Sequence, residues 1–113
     1  MFTSCENSGF RMRFSNGYTV SCQWSERNYC SRKFFGDPLS HDYTQDMKNP
    51  LVSSNTCEIM VDDPKGRPVT GKIVHAAGLY ETMSVEPGGQ IAGWVNADCV
   101  GKLIGYIASL PVK

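Results

Sequence analysis

The stretch FRMRFSNGYTVSCQW, residues 10–24, decides how this 113-residue chain begins to fold. Asn16-Gly17 lies between two runs in which apolar and polar residues alternate, and this pattern is the strongest short-range signal for a β-hairpin. The length of the loop then determines which side chains face each other across the two strands. A two-residue loop would place Phe14 opposite Thr19, so that apolar side chains would lie beside polar ones.

A loop of three residues, 15–17, instead collects the apolar side chains on one face of the hairpin. Phe14 then faces Tyr18, and the row continues with Met12 opposite Val20, Phe10 opposite Cys22, and Trp24. Burying each of these side chains stabilises the fold by about 1.5–3 kcal/mol, which exceeds any preference between turn types. We therefore predict a three-residue loop with Gly17 in the left-handed region, forming a β-bulge.

The rest of the pattern predicts a single α+β domain covering residues 1–113, because short alternating runs are followed by one helical pattern. We expect an antiparallel sheet of about four to five strands, led by the N-terminal hairpin and packed against one C-terminal helix. Further strands are predicted at residues 56–61, 69–75 and 79–85, and a short one at residues 90–94. Residues 25–55 show no sustained periodicity, which indicates either a binding loop or a packed loop that completes the core.

The C-terminal helix, predicted over residues 97–110, has clear signals at both ends. Asn96 is a favourable N-cap for the amide of Cys99, and Pro111 stops the helix. Val95 and Val100 occupy the hydrophobic staple positions. The apolar side chains expected to face the sheet recur at helical spacing: Val100, Leu103, Ile104 and Ile107.

A second stripe of this helix consists of small residues at intervals of four: Ala97, Gly101, Gly105 and Ser109. Glycine inside a helix costs about 1 kcal/mol relative to alanine, so two glycines call for a reason. Close approach of another backbone is the physical candidate. The sheet could supply it, or the helix of a partner subunit could, in which case Gly101 and Gly105 form the interface of a homo-oligomer.

Composition excludes several classes of function. Eleven basic and eleven acidic residues cancel, which argues against a long nucleic acid as the main partner. No apolar run is long enough to span a membrane, and MFTSCENSGF lacks the pattern of a secretory signal, so we expect a cytoplasmic protein. Five cysteines without export context are expected to be reduced thiols: Cys5, Cys22, Cys30, Cys57 and Cys99.

Basic charge is concentrated in residues 10–33, where five basic residues stand against Glu26 alone. Arg11 and Arg13 lie across from Ser21 and Thr19 on the polar face of the hairpin, which is either simply solvated or an anion-binding face. Guanidinium and aromatic groups together suit a nucleotide, because one pairs with phosphate and the other stacks on a base. The candidate ligand-binding residues are Arg11, Arg13, Arg27, Tyr29, Arg32, Lys33 and Phe34.

No spacing in the sequence matches a metal site, a phosphate-binding loop or a cofactor-binding motif, so we expect no metal and no cofactor. Cys99 at the third position of the helix could have a lowered thiol pKa, but a nucleophile also needs a base, and only unseen tertiary geometry could bring His75 near. Cys22 belongs to the apolar row of the hairpin and is expected to be inert. We therefore expect a protein that is not an enzyme.

The segments NGYTVSCQWSERNYCSRK and ADCVGKLIGYIASLP resemble small uncharacterised accessory proteins of bacteriophages, over about a third of the chain. The resemblance implies a phage context and the cytoplasm of an infected bacterium. It also suggests a binding protein that counters host defence, either by sequestering an anionic nucleotide signal or by inhibiting a host defence protein. The alternatives are a structural or assembly component of the virion and, less favoured, an enzyme that uses Cys99.

Overall fold

The structure, a computed structural model, describes residues 1–5, 7–49 and 51–112. Five described strands form one antiparallel sheet in the order β1-β2-β3-β4-β5, which confirms the predicted α+β class and its N-terminal hairpin. The elements, in chain order, are β1 (Phe2–Ser4), β2 (Gly9–Arg13), β3 (Thr19–Gln23), α1 (Gln45–Lys48), β4 (Thr56–Asp62), α2 (Thr70–Ala76), β5 (Ala92–Asn96) and α3 (Ala97–Ala108).

The hairpin of β2 and β3 has the predicted three-residue loop. Phe14 donates its amide to the carbonyl oxygen of Tyr18 at 2.9 Å, and Gly17 donates to the carbonyl oxygen of Phe14 at 2.9 Å. Gly17 has a φ of 92°, in the left-handed region. The predicted register is confirmed, with Met12 opposite Val20 and Phe10 opposite Cys22.

We expect the substitution Gly17→Val to lower the free energy of unfolding by at least about 2 kcal/mol, because a β-branched residue resists positive φ. A Cβ at Gly17 would also lie 2.9 Å from the Cβ of Pro64. Gly66 provides a matched control, since its φ is 79° and a Cβ there meets no described atom within 4 Å. Urea unfolding should show a larger loss for Gly17→Val than for Gly66→Val, and equal losses would exclude a role for the contact with Pro64.

The hairpin loop also holds the C-terminal end of α3. The buried Asn16 side chain donates to the carbonyl oxygens of Ile107 at 2.7 Å and Leu110 at 3.0 Å, while its Oδ1 accepts from the amide of Tyr18 at 3.1 Å. The carbonyl oxygen of Ile107 also accepts from the amide of Leu110 at 3.1 Å, so Asn16 adds a second donor at the C-terminal end of α3. This contact joins the two segments that the sequence marks most clearly.

The core lies between one face of the sheet and helices α2 and α3. Its largest fully buried apolar side chains come from the sheet, from both helices and from the segment before β5: Val20, Ile59, Val61, Val74, Met83, Val95, Leu103 and Ile107. The opposite face of the sheet carries the polar side chains of the hairpin. The loop after β3 packs against that opposite face through Glu58.

The strand predicted at residues 69–75 is wrong, because this segment forms helix α2. Ile73 and Val74 are both buried, which an alternating strand would not allow but a short helix does. Thr70 anchors the helix to the sheet: its buried hydroxyl accepts from the amide of Val61 at 2.9 Å and donates to the carbonyl oxygen of Gln90 at 2.7 Å.

The strand predicted at residues 79–85 is also wrong. The segment instead forms turns after α2, in which Met83 donates its amide to the carbonyl oxygen of Leu79 at 2.8 Å. Met83 is buried in the core, and this burial accounts for the apolar pattern that resembled a strand.

Helix α3 begins as predicted, with the amide of Cys99 donating to Oδ1 of Asn96 at 2.9 Å. Cys99, Leu103 and Ile107 form its buried face. Gly101 and Gly105 are exposed, and a Cβ at either would meet no described atom within 4 Å. The interpretation that the sheet requires these glycines is therefore wrong, and the partner-subunit alternative stays a prediction.

Candidate ligand-binding site

A β-bulge interrupts the pairing of the edge strand β5 with β4. Cys57 pairs with Val95 and Ile59 pairs with Ala92, so that Glu58 alone faces both Gly93 and Trp94. Trp94 has a φ of 51°, which is a rare conformation for a bulky side chain. Such bulges re-aim a side chain, and here the indole of Trp94 is left 50% exposed.

The loop after β3 is fixed against this bulge by Glu58. The carboxylate of Glu58 lies on the face away from the core, but it is buried there by the loop. It accepts from the amide of Tyr29 at 2.8 Å and from the side-chain amide of Asn28 at 3.1 Å. Trp94 in turn donates its amide to the carbonyl oxygen of Tyr29 at 2.8 Å.

Gly93 is what allows Tyr29 to approach the strand. A Cβ at Gly93 would lie 2.8 Å from the Cβ of Tyr29 and 3.2 Å from its carbonyl oxygen, which is closer than packed atoms normally come. The absence of a side chain at Gly93 therefore brings the rings of Tyr29 and Trp94 together, with centroids 5.8 Å apart and planes inclined by 47°.

The two rings border an open recess of about 530 Å³, which we call the Tyr29–Trp94 recess. Lys33 supplies positive charge beside it, because its Nζ lies 4.5 Å from the centroid of the Tyr29 ring. The recess thus presents aromatic faces and hydroxyl groups, and an ammonium group lies against the Tyr29 ring outside its lining. The residues lining the recess are Tyr29, Thr82, Ser84, Ile91, Gly93 and Trp94.

Arg32, by contrast, is used within the fold. Its guanidinium donates to both carboxylate oxygens of Asp46, at 2.6 and 2.5 Å, and to the carbonyl oxygen of Trp24 at 3.1 Å. The hydrogen bond from Arg32 lowers the pKa of the Asp46 carboxyl, although desolvation acts in the opposite direction. This bidentate pair ties the loop after β3 to α1, and Arg32 is therefore not free for a ligand.

We expect Arg32→Ala to lower the free energy of unfolding by about 2–3 kcal/mol at neutral pH, because the buried Asp46 carboxylate loses a charged partner. Since the folded pKa of Asp46 is lowered, its stabilising contribution is present above its ordinary value of 3.8 and is lost as pH falls through the lowered pKa. Urea unfolding should therefore show that the difference in the free energy of unfolding between the wild type and Arg32→Ala becomes smaller from neutral pH to about pH 2.

Arg11→Ala is the control for this experiment, because Arg11 is exposed and an exposed substitution usually changes stability by less than about 0.5 kcal/mol. If the difference in the free energy of unfolding between the wild type and Arg32→Ala stayed constant across the same pH range, the role assigned to the Arg32–Asp46 pair would be contradicted.

Arg27 and Phe34 belong to a different aromatic cluster. The guanidinium carbon of Arg27 lies 4.6 Å from the centroid of the Tyr43 ring. The Phe34 ring stacks on His41 with centroids 3.8 Å apart, and Nε2 of His41 lies 2.7 Å from a carboxylate oxygen of Glu26. These contacts pack the irregular residues 25–55, of which Pro50 lies outside the described residues. Neither side chain lines the Tyr29–Trp94 recess.

Arg11 and Arg13 lie together at a third place, on the polar face of the hairpin, opposite Ser21 and Thr19 as predicted. They line a cleft of about 260 Å³. Asp62 lines the same cleft, and its carboxylate opposes the binding of an anion there. The seven predicted ligand-binding residues are therefore distributed over separate sites. Only Tyr29 lines the aromatic recess, and Lys33 contacts the Tyr29 ring without lining the recess.

The alternatives of a thiol-dependent enzyme and of a metal site depend on where Cys99, His75 and the possible metal ligands lie. Cys99 is buried, and His75 is engaged elsewhere, with Nε2 2.8 Å from the carbonyl oxygen of Val85 and its ring stacked on Tyr80. Among the residues that the structure describes, no three His, Cys, Asp or Glu side chains cluster as metal ligands do. No helix within the described ranges is long and apolar enough to cross a membrane.

Sequence reasoning missed Trp94, although one signal was present. Ala92 and Val95 are both buried, a spacing of three that a regular strand cannot place on one face. This spacing, together with Gly93, is typical of a bulge. Thr82, Ser84 and Ile91 carried no signal, because their place at the recess depends on the turns that follow α2.

Comparison with known proteins adds no assignment to this geometry. The sequence matches no protein-family model, and no significant match was found among curated proteins or solved structures. The function proposed for the chain therefore rests on the contacts and charges of the Tyr29–Trp94 recess.

Proposed function

We propose that this protein is a non-enzymatic nucleotide-binding protein in which the Tyr29–Trp94 recess holds the base and Lys33 pairs with the phosphate. The observation that carries the proposal is the left-handed backbone of Trp94. Such a conformation costs about 1–3 kcal/mol in a non-glycine residue and tends to occur at functional sites. Here it holds a half-exposed indole against Tyr29.

Stacking is the chemistry that an exposed aromatic pair offers most directly. Tyr29 is 42% exposed and Trp94 is 50% exposed, so a large part of the surface of each residue is available to a ligand. Stacking of a base on an aromatic side chain contributes about 1–3 kcal/mol per base. The recess of about 530 Å³ has the size of ordinary small-molecule sites.

The charges around the recess favour an anion. Lys33 contributes an ammonium group beside the Tyr29 ring, and the described residues that line the recess include no carboxylate. The arginine cleft differs, because Asp62 lies within it. The hydroxyl groups of Thr82 and Ser84 can bond to the sugar or the base edge. One aromatic pair and one cation match a ligand with one base and one phosphate.

In the phage context that the sequence resemblance implies, such binding would act in the cytoplasm of the infected bacterium. Sequestering an anionic nucleotide signal lowers its free concentration and so counters host defence without turnover. The mechanism requires affinity and abundance rather than catalytic groups.

A second candidate is inhibition of a host defence protein through the same surface. Phe35 lies two residues after Lys33 in the sequence and is 76% exposed. The Nζ atom of Lys33 lies 5.9 Å from the centroid of the Phe35 ring. Exposed aromatic side chains of this kind are enriched in protein interfaces. In that case the aromatic surface would bind a protein and show no affinity for nucleotides.

Isothermal titration of the full chain with AMP separates these candidates. Adenosine, which lacks the phosphate, and ribose 5-phosphate, which lacks the base, are the matched ligand controls. We expect AMP to bind more tightly than either, because only AMP engages both the rings and Lys33. Lys33→Gln should weaken AMP binding, whereas Lys72→Gln, at an exposed position of α2, should not. No binding of AMP would contradict the nucleotide proposal and favour the protein-docking candidate.

A further inference from the structure

Two cysteines from neighbouring strands bring their thiols into contact inside the sheet. Cys22 lies on β3 and Cys57 on β4, and their Sγ atoms are 3.0 Å apart. The register pairs Cys22 with Ile59, so Cys57 is its diagonal neighbour, two residues along on the same face. Both side chains are buried, with 4% and 6% of their surface exposed.

This separation is short enough for a covalent bond after a small movement. A disulfide has an S–S length of about 2.0 Å, so the two sulfur atoms need to approach by about 1 Å. A change of side-chain torsion angles, together with a small closing movement of the two strands, can supply this approach. The sequence marked Cys22 as an inert member of an apolar row and could not indicate that Cys57 would lie beside it.

The pair is also reachable by a small reagent. Both thiols line an apolar recess of about 310 Å³ between the sheet, α3 and the segment before β4, with Phe10, Trp24, Val52 and Val100 among its other walls. This recess is separate from the Tyr29–Trp94 recess, since the two share no lining residue. Chemistry at the thiols therefore does not depend on the proposed nucleotide function.

We infer that Cys22 and Cys57 are a site of reversible disulfide formation by a peroxide. The sulfur of Cys22 attacks a peroxide oxygen, an S–O bond forms and the O–O bond breaks, which gives a sulfenic acid and one water. The sulfur of Cys57 then attacks the sulfur of Cys22, an S–S bond forms and the S–O bond breaks, which releases a second water. Overall, two thiols lose two electrons and two protons, and one hydrogen peroxide becomes two waters.

The electrostatics of the pair fit this order of events. The hydrogen bond with Cys57 lowers the pKa of the Cys22 thiol, although burial acts in the opposite direction. The same hydrogen bond raises the pKa of Cys57. Because the thiolate is the nucleophile, Cys22 is the thiol that reacts first and Cys57 is the one that resolves the sulfenic acid.

The bond would also change the protein mechanically. It would close a loop spanning 35 sequence positions between strands β3 and β4, and that loop contains Tyr29 and Lys33. Cross-links of this kind stabilise a fold mainly by restricting the unfolded chain. The oxidised protein is therefore expected to unfold at a higher temperature than the reduced protein.

The test is to treat the native full chain with hydrogen peroxide and measure its intact mass. We expect a loss of two hydrogen masses, reversed by dithiothreitol, and a peptide cross-link that joins Cys22 to Cys57. Cys22→Ser and Cys57→Ser should lose the cross-link, whereas Cys99→Ser and Cys5→Ser should keep it. The peptide map of the wild type decides the question even if a variant at Cys22 or Cys57 fails to fold.

Two outcomes would overturn the inference. One is a gain of oxygen mass on either thiol without a cross-link, which would show that Cys57 does not resolve the sulfenic acid. The other is a wild-type cross-link that joins a different pair of cysteines, or no oxidation of this pair at a peroxide concentration that modifies Cys5, which is only partly buried.

Discussion

Asn16→Ala is expected to lower the free energy of unfolding by about 2–4 kcal/mol, because one substitution removes three hydrogen bonds, two of them buried. The side chain donates to the carbonyl oxygens of Ile107 and Leu110 and accepts from the amide of Tyr18. Alanine would remove all three of these hydrogen bonds, in a place where Asn16 itself is buried, although the carbonyl oxygen of Ile107 keeps the amide of Leu110. A buried polar group that loses its partner carries the cost of its own desolvation.

Ser15→Ala is the matched control for Asn16→Ala, because Ser15 lies in the same loop and is exposed. Its effect should stay within about 0.5 kcal/mol. Urea unfolding measures both variants, and hydrogen exchange at the end of α3 shows where the loss occurs. If the Asn16 variant were as stable as the Ser15 variant, the hairpin loop would not be holding the helix.

Trp94→Gly is expected to abolish most nucleotide affinity while changing stability by less than about 1 kcal/mol. Loss of the indole removes stacking that contributes about 1–3 kcal/mol, which corresponds to a decrease in affinity of about 5- to 150-fold. Glycine adopts positive φ at no steric cost, so the relief of strain at the bulge offsets the lost contact with Tyr29. A residue whose backbone conformation destabilises the fold, and whose side chain is required for binding, is expected at a functional site.

Trp94→Phe serves as the control for the glycine variant, since it keeps an aromatic ring and the same backbone strain. We expect it to retain most of the AMP affinity measured by titration calorimetry. Val95→Ala, at the buried neighbouring position, should instead lower stability and leave affinity nearly unchanged. Full affinity in Trp94→Gly would remove the indole from the site and with it the main support for the proposed function.

The parts of the fold that the sequence predicted are those in which local and long-range signals agree. The hairpin register follows from burying one apolar row. Helix α3 follows from signals within its own segment, such as the Asn96 cap. Residues 69–75 were mistaken for a strand because a short apolar run fits either period. What decided the outcome was burial of Ile73 and Val74 against the sheet, which depends on tertiary packing.

The candidate site was harder to predict, because charge density in sequence does not show which cations are already paired. Arg32 and Lys33 are adjacent, yet Arg32 is held by Asp46 and Lys33 lies beside the Tyr29 ring. Trp94 enters the site through a backbone angle that no propensity favours. The sequence offers these types of group as candidates, but their assembly depends on contacts between distant segments.

The two tryptophans allow the nucleotide proposal to be tested in a single NMR titration with AMP. The indole N–H of Trp94 belongs to a half-exposed ring at the recess, whereas that of Trp24 donates to the carbonyl oxygen of Val52 at 3.0 Å and serves as an internal reference. We predict a saturable shift of the Trp94 indole and the Tyr29 amide, with the Trp24 indole unmoved. An unmoved Trp94 indole, or shifts confined to Arg11 and Arg13, would contradict the proposal.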